Sequence, residues 1–139
     1  MTVVSKKFQI DSRAFSEVID ITDTVEQKLS ESGLKNGIAT VFTKHTTAAI
    51  TIIELEKGMI QDLKDLWAKL LPANAIYQHN ILNNDTNGHS HVSASIIGPS
   101  LVVPFEAGKL MLGQWQKIVM IDFDSKPRTR DLVLQIIGE

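Results

Sequence analysis

Apolar and polar residues change period several times along this chain, and each change marks an element. The opening segments TVVSKKFQI and FSEVIDI space their apolar residues with little helical recurrence, and DSR between them reads as a turn. That pattern predicts an N-terminal β-hairpin. From Thr22 the period lengthens: Ile21, Val25 and Leu29 recur at four-residue spacing, Asp23 and Glu26 offer a capping box, and Gly33 closes a short amphipathic helix. NGIATVFTKHTTAAITIIE is rich in β-branched residues, and Thr40, Phe42 and Lys44 alternate against Val41, Thr43 and His45 before a break near Thr46 and Thr47. It predicts two strands or one bent strand. Residues 55–71 put Leu55, Met59, Ile60, Leu63, Leu66, Trp67 and Leu70 on one helical face, and Pro72 ends the run. This is the expected main helix, with its stripe in the core.

Residues 73–90 are Asn-rich with little apolar periodicity and predict a long internal loop. After it, SHVSASIIG reads as a short helix starting near Ser90 and closed by Gly98, and SLVVPF, EAG, KLMLGQWQKIVMIDFD and DLVLQIIG supply β segments. The sum is an α+β domain spanning 1–139, with a mostly antiparallel sheet or sandwich, two main helices and one short one.

Composition narrows the chemistry. With 139 residues, 43% of them hydrophobic, the chain suits one compact domain with one core. Fourteen basic against sixteen acidic residues give a net charge of −2 without a basic block, so nucleic acid is not an expected partner. No window approaches the roughly 18 apolar residues of a membrane span, and no signal core precedes the first strand, which points to a soluble cytoplasmic protein and no membrane partner. The absence of cysteine excludes disulfides, thiolate catalysis and Cys-based metal sites, leaving His with Asp or Glu for any transition metal.

Four histidines therefore draw attention. His45 ends a strand and is followed by the hydroxyls of Thr46 and Thr47, where side chains and backbone N–H groups can converge on a ligand. His79 opens the polar loop, and Asp85, His89 and His91 lie near its end; imidazoles with a carboxylate suit a divalent metal or proton transfer near neutral pH. In a helix starting near Ser90, residues two apart face different ways. His91 is then the pocket residue, and His89 the solvated one. That helix start, with Asn87 or Ser90 as its cap, also offers N–H groups to an anion. Glu54 falls at the start of the main helix, where the dipole favours a carboxylate. Arg128 and Arg130, two apart in an extended segment, face the same way and could clamp an anion.

HTTAAITIIE at 45–54, DTNGHSHVSASIIGPSLVVPFEAGKLMLGQWQKI and PRTRDLVLQIIGE together resemble the YjbQ-like family, an uncharacterised family also labelled secondary thiamine-phosphate synthase. The resemblance covers nearly the whole chain. It implies a compact α+β fold with an antiparallel sheet, a homotrimer and a His-rich pocket drawn from His45, Glu54, His79, Asp85, His91, Trp115, Gln116 and Arg128. Two departures stand out: Gln114 occupies the family's usual Thr before Trp115, and Asp124-Ser125-Lys126-Pro127-Arg128 replaces a tighter Asp-Gly-Pro-Arg.

The implied activity is weak thiamine-phosphate synthesis, a transfer joining a pyrimidine diphosphate to a thiazole phosphate. On this reading His45, His91, Glu54 and Gln116 act on the reaction, while Thr46, Thr47, Ser90, Trp115 and Arg128 hold a phosphorylated small molecule. A divalent metal, Mg or Zn, would draw on His45, His79, His91 and Asp85. Two other readings suit the same residues: a metal-dependent hydrolase with a three-His site, and a non-catalytic trimer that binds a small ligand or metal.

Overall fold

A computed structural model describes residues 1–139. In chain order its elements are β1 (Thr2–Ser12), β2 (Glu17–Asp20), α1 (Thr22–Ser32), β3 (Gly37–Thr43), β4 (Ala48–Ile53), α2 (Lys57–Leu70), α3 (Gln78–Asn83), α4 (Gly88–Ile97), β5 (Ser100–Glu106), β6 (Lys109–Leu110), β7 (Lys117–Asp122) and β8 (Arg128–Gly138). They build the expected α+β fold from two antiparallel sheets, a five-stranded one ordered β1-β8-β3-β5-β6 and a three-stranded one ordered β2-β7-β4. No helix is long and apolar enough to cross a membrane.

The layers follow from strand periodicity. Leu132, Leu134 and Ile136 of β8, with Ala39 and Val41 of β3, turn one face of the large sheet inward onto Ile118 and Met120 of β7. Ile21, Val25 and Leu29 of α1 complete that core without any solvent exposure. The other face of β7 presents Val119 and Ile121, and with Phe123, Ala49 and Ile53 it packs against Ala94 of α4 and the half-buried Met59, Leu63 and Trp67 of α2. Residues Ile118–Asp122 are consequently buried on both faces, which explains a strand with no polar alternation.

Several local expectations change. The N-terminal hairpin does not form: β1 pairs along its whole length with β8, while β2 pairs with β7 in the other sheet. Ala14, Phe15 and Ser16, all at positive φ, redirect the chain between sheets, and the turn is pinned by the Phe15 N–H donating to the Asp124 carbonyl at 2.9 Å. At the start of α1 the Asp20 carboxylate, rather than Asp23, accepts from the Thr22 N–H at 3.0 Å. Gly33 at φ 75° ends α1 in the left-handed region that glycine adopts without strain.

The main helix starts at Lys57, two residues beyond the predicted start. Glu56 caps it by accepting from the Gly58 and Met59 N–H groups, so Glu54 lies outside the helix, exposed. Its stripe only half enters the core, since Leu66 and Leu70 remain exposed. The predicted long loop contains α3, and α4 begins at Gly88 rather than near Ser90.

At one end of the two sheets, the buried Arg130 of β8 grips Asp122 of β7 through Nε–Oδ2 and Nη2–Oδ1 contacts of 2.6 and 2.7 Å. Removing one partner of such a pair leaves an uncompensated buried charge. Asp122→Ala is expected to lower unfolding free energy by about 3–5 kcal/mol in urea titration. The apolar double variant Asp122→Leu with Arg130→Met should recover most of that loss; a double variant as unstable as the single one would contradict this account.

Candidate functional site

Four chain segments meet at that same end. The β3–β4 connection supplies Lys44, His45, Thr46 and Thr47, the turn after β7 supplies Asp124, β8 begins with Arg128 and Arg130, and the start of α4 brings Asn87 and His91. Together they line a wholly polar groove of about 300 Å³. It adjoins a space of about 370 Å³ whose walls include Ala48, Ala94, Ser95 and Pro99, and His45, Thr46 and His91 line both. The result is one cleft with a polar, cation-rich half and a more apolar half, the usual composition of a small-molecule site.

A hydrogen-bonded network forms the floor. Arg130 Nη2 donates to Thr47 Oγ1 at 2.8 Å, and Thr47 Oγ1 donates to Asp124 Oδ2 at 3.0 Å. Arg128 Nε donates to the same Oδ2 at 2.6 Å, and the Ser125 N–H donates to Oδ1 at 2.7 Å. Burial pushes the Asp124 carboxyl upward, but the Ser125 N–H, the Thr47 hydroxyl and the Arg128 guanidinium outweigh it and hold it at about 2. Asp124 is thus a fixed anion at working pH. Arg128 is paired with Asp124 and Arg130 with Asp122 beneath the groove, which leaves Lys44 as the lining cation without a carboxylate partner.

His45 has an assigned tautomer. Its Nε2 accepts the Asp131 N–H at 2.8 Å, so in the neutral ring Nδ1 carries the proton. Burial, followed by Arg130, lowers its pKa from 6.5 and keeps the ring neutral. His91 is also lowered, by burial and by the neighbouring His79, whose ring centroid lies 4.3 Å away. His79 Nε2 is committed to Asn87 Oδ1 at 3.1 Å, with Asp85 at 3.8 Å, whereas His91 has no hydrogen-bonded protein partner. His91 is therefore the imidazole in the cleft best placed to exchange a proton with a ligand.

The sequence-derived set divides in two. His45, Thr46, Thr47, His91 and Arg128 line the cleft, and His79 and Asp85 adjoin it through Asn87 and His91. Glu54, Trp115 and Gln116 do not join them: Ile53, just before Glu54, pairs with Lys117, just after Gln116, at the far end of β7 from Asp122. At about 3.4 Å per residue the two ends of β7 are separated by roughly 17 Å. Gln116 instead closes its own loop, its Oε1 accepting from the Gly113 N–H at 2.8 Å, and Trp115 is exposed.

The start of α4 differs from expectation in three ways. Ser90 is fully buried and its hydroxyl donates to the Phe123 carbonyl, so it packs the helix rather than facing the cleft. The Gly88 N–H is taken by Asn80 Oδ1 at 2.8 Å and the Ser90 N–H by the Asn87 carbonyl, which leaves little of an anion site. His89 is not solvated but half-buried against Tyr77 on another face of the helix. For a metal, no three His, Asp or Glu side chains of one chain converge on a ligand set. His45 is further ill-suited because one ring nitrogen is engaged and the other is an N–H.

Lys44, Asn87 and Asp124 were missed as cleft residues, and Asp122 as the carboxylate beneath them. A signal existed for the two aspartates: they interrupt the apolar run KIVMIDFD where a core strand has no use for charge unless it is paired.

The family model described as UPF0047 protein YjbQ-like matches residues 6–139. A UPF0047 protein of Archaeoglobus fulgidus is 41% identical over 121 residues, 87% of this chain and 91% of the relative. UPF0047 protein YugU of Bacillus subtilis is 35% identical, covering 96% of this chain and 98% of its own length. Among solved structures, a YbjQ-like protein of unknown function from Sulfolobus solfataricus superposes with a TM-score of 0.93 at 34% identity, covering 99% of both chains.

The histidine assignments predict a pH response. His45 and His91 have folded pKa values below 6.5, so the unfolded chain takes up protons first as pH falls. Their contribution is complete above about pH 6.5 and declines below it; the Asp124 contribution follows, being lost only as pH drops below 3.8 toward 2. Urea midpoints should therefore fall between pH 7 and 5, with a shallower slope in His45→Gln. Long-range ¹H–¹⁵N spectra should report His45 as the Nδ1–H tautomer; an Nε2–H ring would refute the assignment.

Proposed function

The chain belongs to the YjbQ-like UPF0047 family, and within it we propose that this protein acts on a phosphorylated small molecule whose anionic group lies at the Lys44–Arg128 end of the cleft and whose ring lies in the apolar half. The observation that carries this reading is the pairing of a cationic half with an apolar half around His45, Thr46 and His91. A phosphate at Lys44 and Arg128 would be recognised by charge-assisted hydrogen bonds. The Thr46 hydroxyl and the His45 Nδ1–H supply further donors, and His91 the proton exchange.

The reaction of this class implied by the family label is thiamine-phosphate formation. A thiazole-phosphate nitrogen attacks the methylene carbon of the pyrimidine diphosphate, the C–O bond breaks, and diphosphate leaves with the electron pair. The cleft's cations would stabilise that leaving group where charge accumulates. A divalent ion enters this reading only as Mg²⁺ carried by the diphosphate, because the imidazoles and carboxylates of one chain do not converge on a ligand set. The setting we assign is the cytoplasm.

A homotrimer is the proposed assembly. The outer face of the five-stranded sheet has no covering element, and Val3, Ile137, Ile38 and Pro104 stand side by side across four strands. Val3, Ile38, Phe42 and Val102 on this face are each at least 40% exposed, which suits an interface. Glu54, Trp115 and Gln116 could reach a cleft only from a neighbouring copy. Sedimentation should give a trimer for the native chain and smaller species for Ile38→Glu with Val102→Lys; an unchanged trimer would place the interface elsewhere.

Calorimetric titration with inorganic diphosphate and Mg²⁺ tests the anion site. Lys44→Ala should weaken binding about tenfold, and His91→Asn should leave binding intact while lowering turnover of the two thiamine precursors by about 10²-fold or more. Binding without coupling would retain the anion-binding reading and remove the synthase. No diphosphate binding at all would remove both.

A further inference from the structure

The five-stranded sheet has two bare edges, and alternation along its strands decides which backbone groups they expose. In a strand the N–H and C=O of one residue point to one side and those of the next residue to the other. The Thr43 N–H donates to the Pro99 carbonyl at 2.9 Å, and the Met111 N–H donates to the Pro104 carbonyl at 2.9 Å. Odd-numbered positions of β5 therefore bond to β3, and even-numbered ones point away from it. On that far side the chain returns only from Pro104 onward, through Met111 and β6. Ser100 and Val102 are left with two N–H donors and two carbonyl acceptors that have no strand beside them.

The opposite edge belongs to β1. The Lys44 N–H donates to the Asp131 carbonyl at 3.2 Å, so Asp131, Val133 and Gln135 turn their backbone groups toward β3. Leu132 and Leu134 then bond to Phe8 and Lys6 of β1. Val3, Ser5, Lys7 and Gln9 consequently point outward, at the end of the strand order where no further strand follows. An open edge of this kind pairs readily with another strand unless it is blunted. Pro104 removes a single outward N–H on β5, and the exposed Val3 and Val102 leave both edges flanked by apolar side chains.

We propose that β1 of one copy pairs antiparallel with β5 of the next, so that three copies close into a ring in which both edges are used. This rests on the trimer reading above and names its backbone contact. Strand directions single out the partner: β1 and β3 run one way, β8 and β5 the other. Rotation about a three-fold axis lying along the strands keeps those directions, so β1 meets its neighbour's β5 antiparallel, the ladder with bonds perpendicular to the strands. A two-fold dimer through β1 would leave β5 bare, whereas a head-to-tail ring joins unlike edges and closes. With the strands level, as Val3 and Pro104 stand in one row of the sheet, Ser5 faces Val102 and Lys7 faces Ser100. Because the small sheet and the helices occupy the other side of each large sheet, the three outer faces turn toward the common axis, and Ile38, Phe42 and Val102 leave water together. The joined strand also lies beside Ser100, one residue after Pro99 in the wall of the cleft, so each cleft borders the neighbouring copy.

Proline separates a bond between copies from a bond within the fold, because the outward N–H groups of Ser5 and Val102 make none within the chain. The native chain should sediment as a trimer, with its Ser100 and Val102 amides exchanging hydrogen about tenfold or more slower than exposed amides do. Ser5→Pro should give smaller species and return the Val102 amide, on the other strand, to exposed-amide exchange. Val102→Pro should also give smaller species, the fold of both variants being checked by circular dichroism. A native trimer whose Ser100 and Val102 amides exchange like exposed ones, or one that persists in both folded proline variants, would overturn the edge pairing and leave a trimer held by other contacts. A native chain that sediments as a monomer would remove the trimer reading and this contact with it. Amide exchange on the native chain decides between these results even where a proline variant does not fold.

Discussion

The pairing of Arg130 with Asp122 is the contact on which the arrangement of this molecule turns. It sits between the sheets at one end, and from it the hydrogen bonds run outward through Thr47 to Asp124, Arg128 and Asn87. Burying a guanidinium and a carboxylate is expensive, and it is tolerated here because each partner is met by several hydrogen bonds. The same investment that closes the core sets the floor of the cleft, so the core and the cleft share residues. A change at Thr47 would be felt in both.

Much of this was legible in the chain. The four-residue spacing of Ile21, Val25 and Leu29 gave α1, and the apolar stripe with Pro72 gave the body of α2, because helix periodicity is a local signal. What escaped was non-local. Nothing within TVVSKKFQI or FSEVIDI says that they belong to different sheets; that follows from three successive left-handed residues and from a partner strand more than a hundred positions away. The site was legible to the same extent. His45, Thr46, Thr47, His91 and Arg128 come together because each stands at an element end on one side of the sandwich, whereas Glu54, Trp115 and Gln116 stand at the ends that antiparallel pairing sends to the opposite side. Helix geometry anticipated that His89 and His91 face different ways, but the predicted start of α4 lay two residues too late, and so the buried environment of His89 was missed.

Helix α4 contributes Ala94 to the inner layer and offers histidines on two other faces, His91 toward the cleft and His89 toward Tyr77. Small residues make this feasible. Gly88 has Tyr77 Cβ only 2.6 Å from where its own side-chain carbon would lie, so any larger residue would push the helix start away from α3 and its neighbouring loop.

One consequence of the doubly buried β7 concerns information rather than energy. In a strand with one wet face, a slip of one residue is punished because it turns the apolar set toward water. Residues 118–121 are apolar toward both layers, and that penalty is missing. Asp122 restores it: a slip would set Ile121 opposite Arg130 and strand the guanidinium in an apolar layer. The charged pair works as an alignment key, telling the folding chain which of two nearly isoenergetic settings of its central strand is the right one.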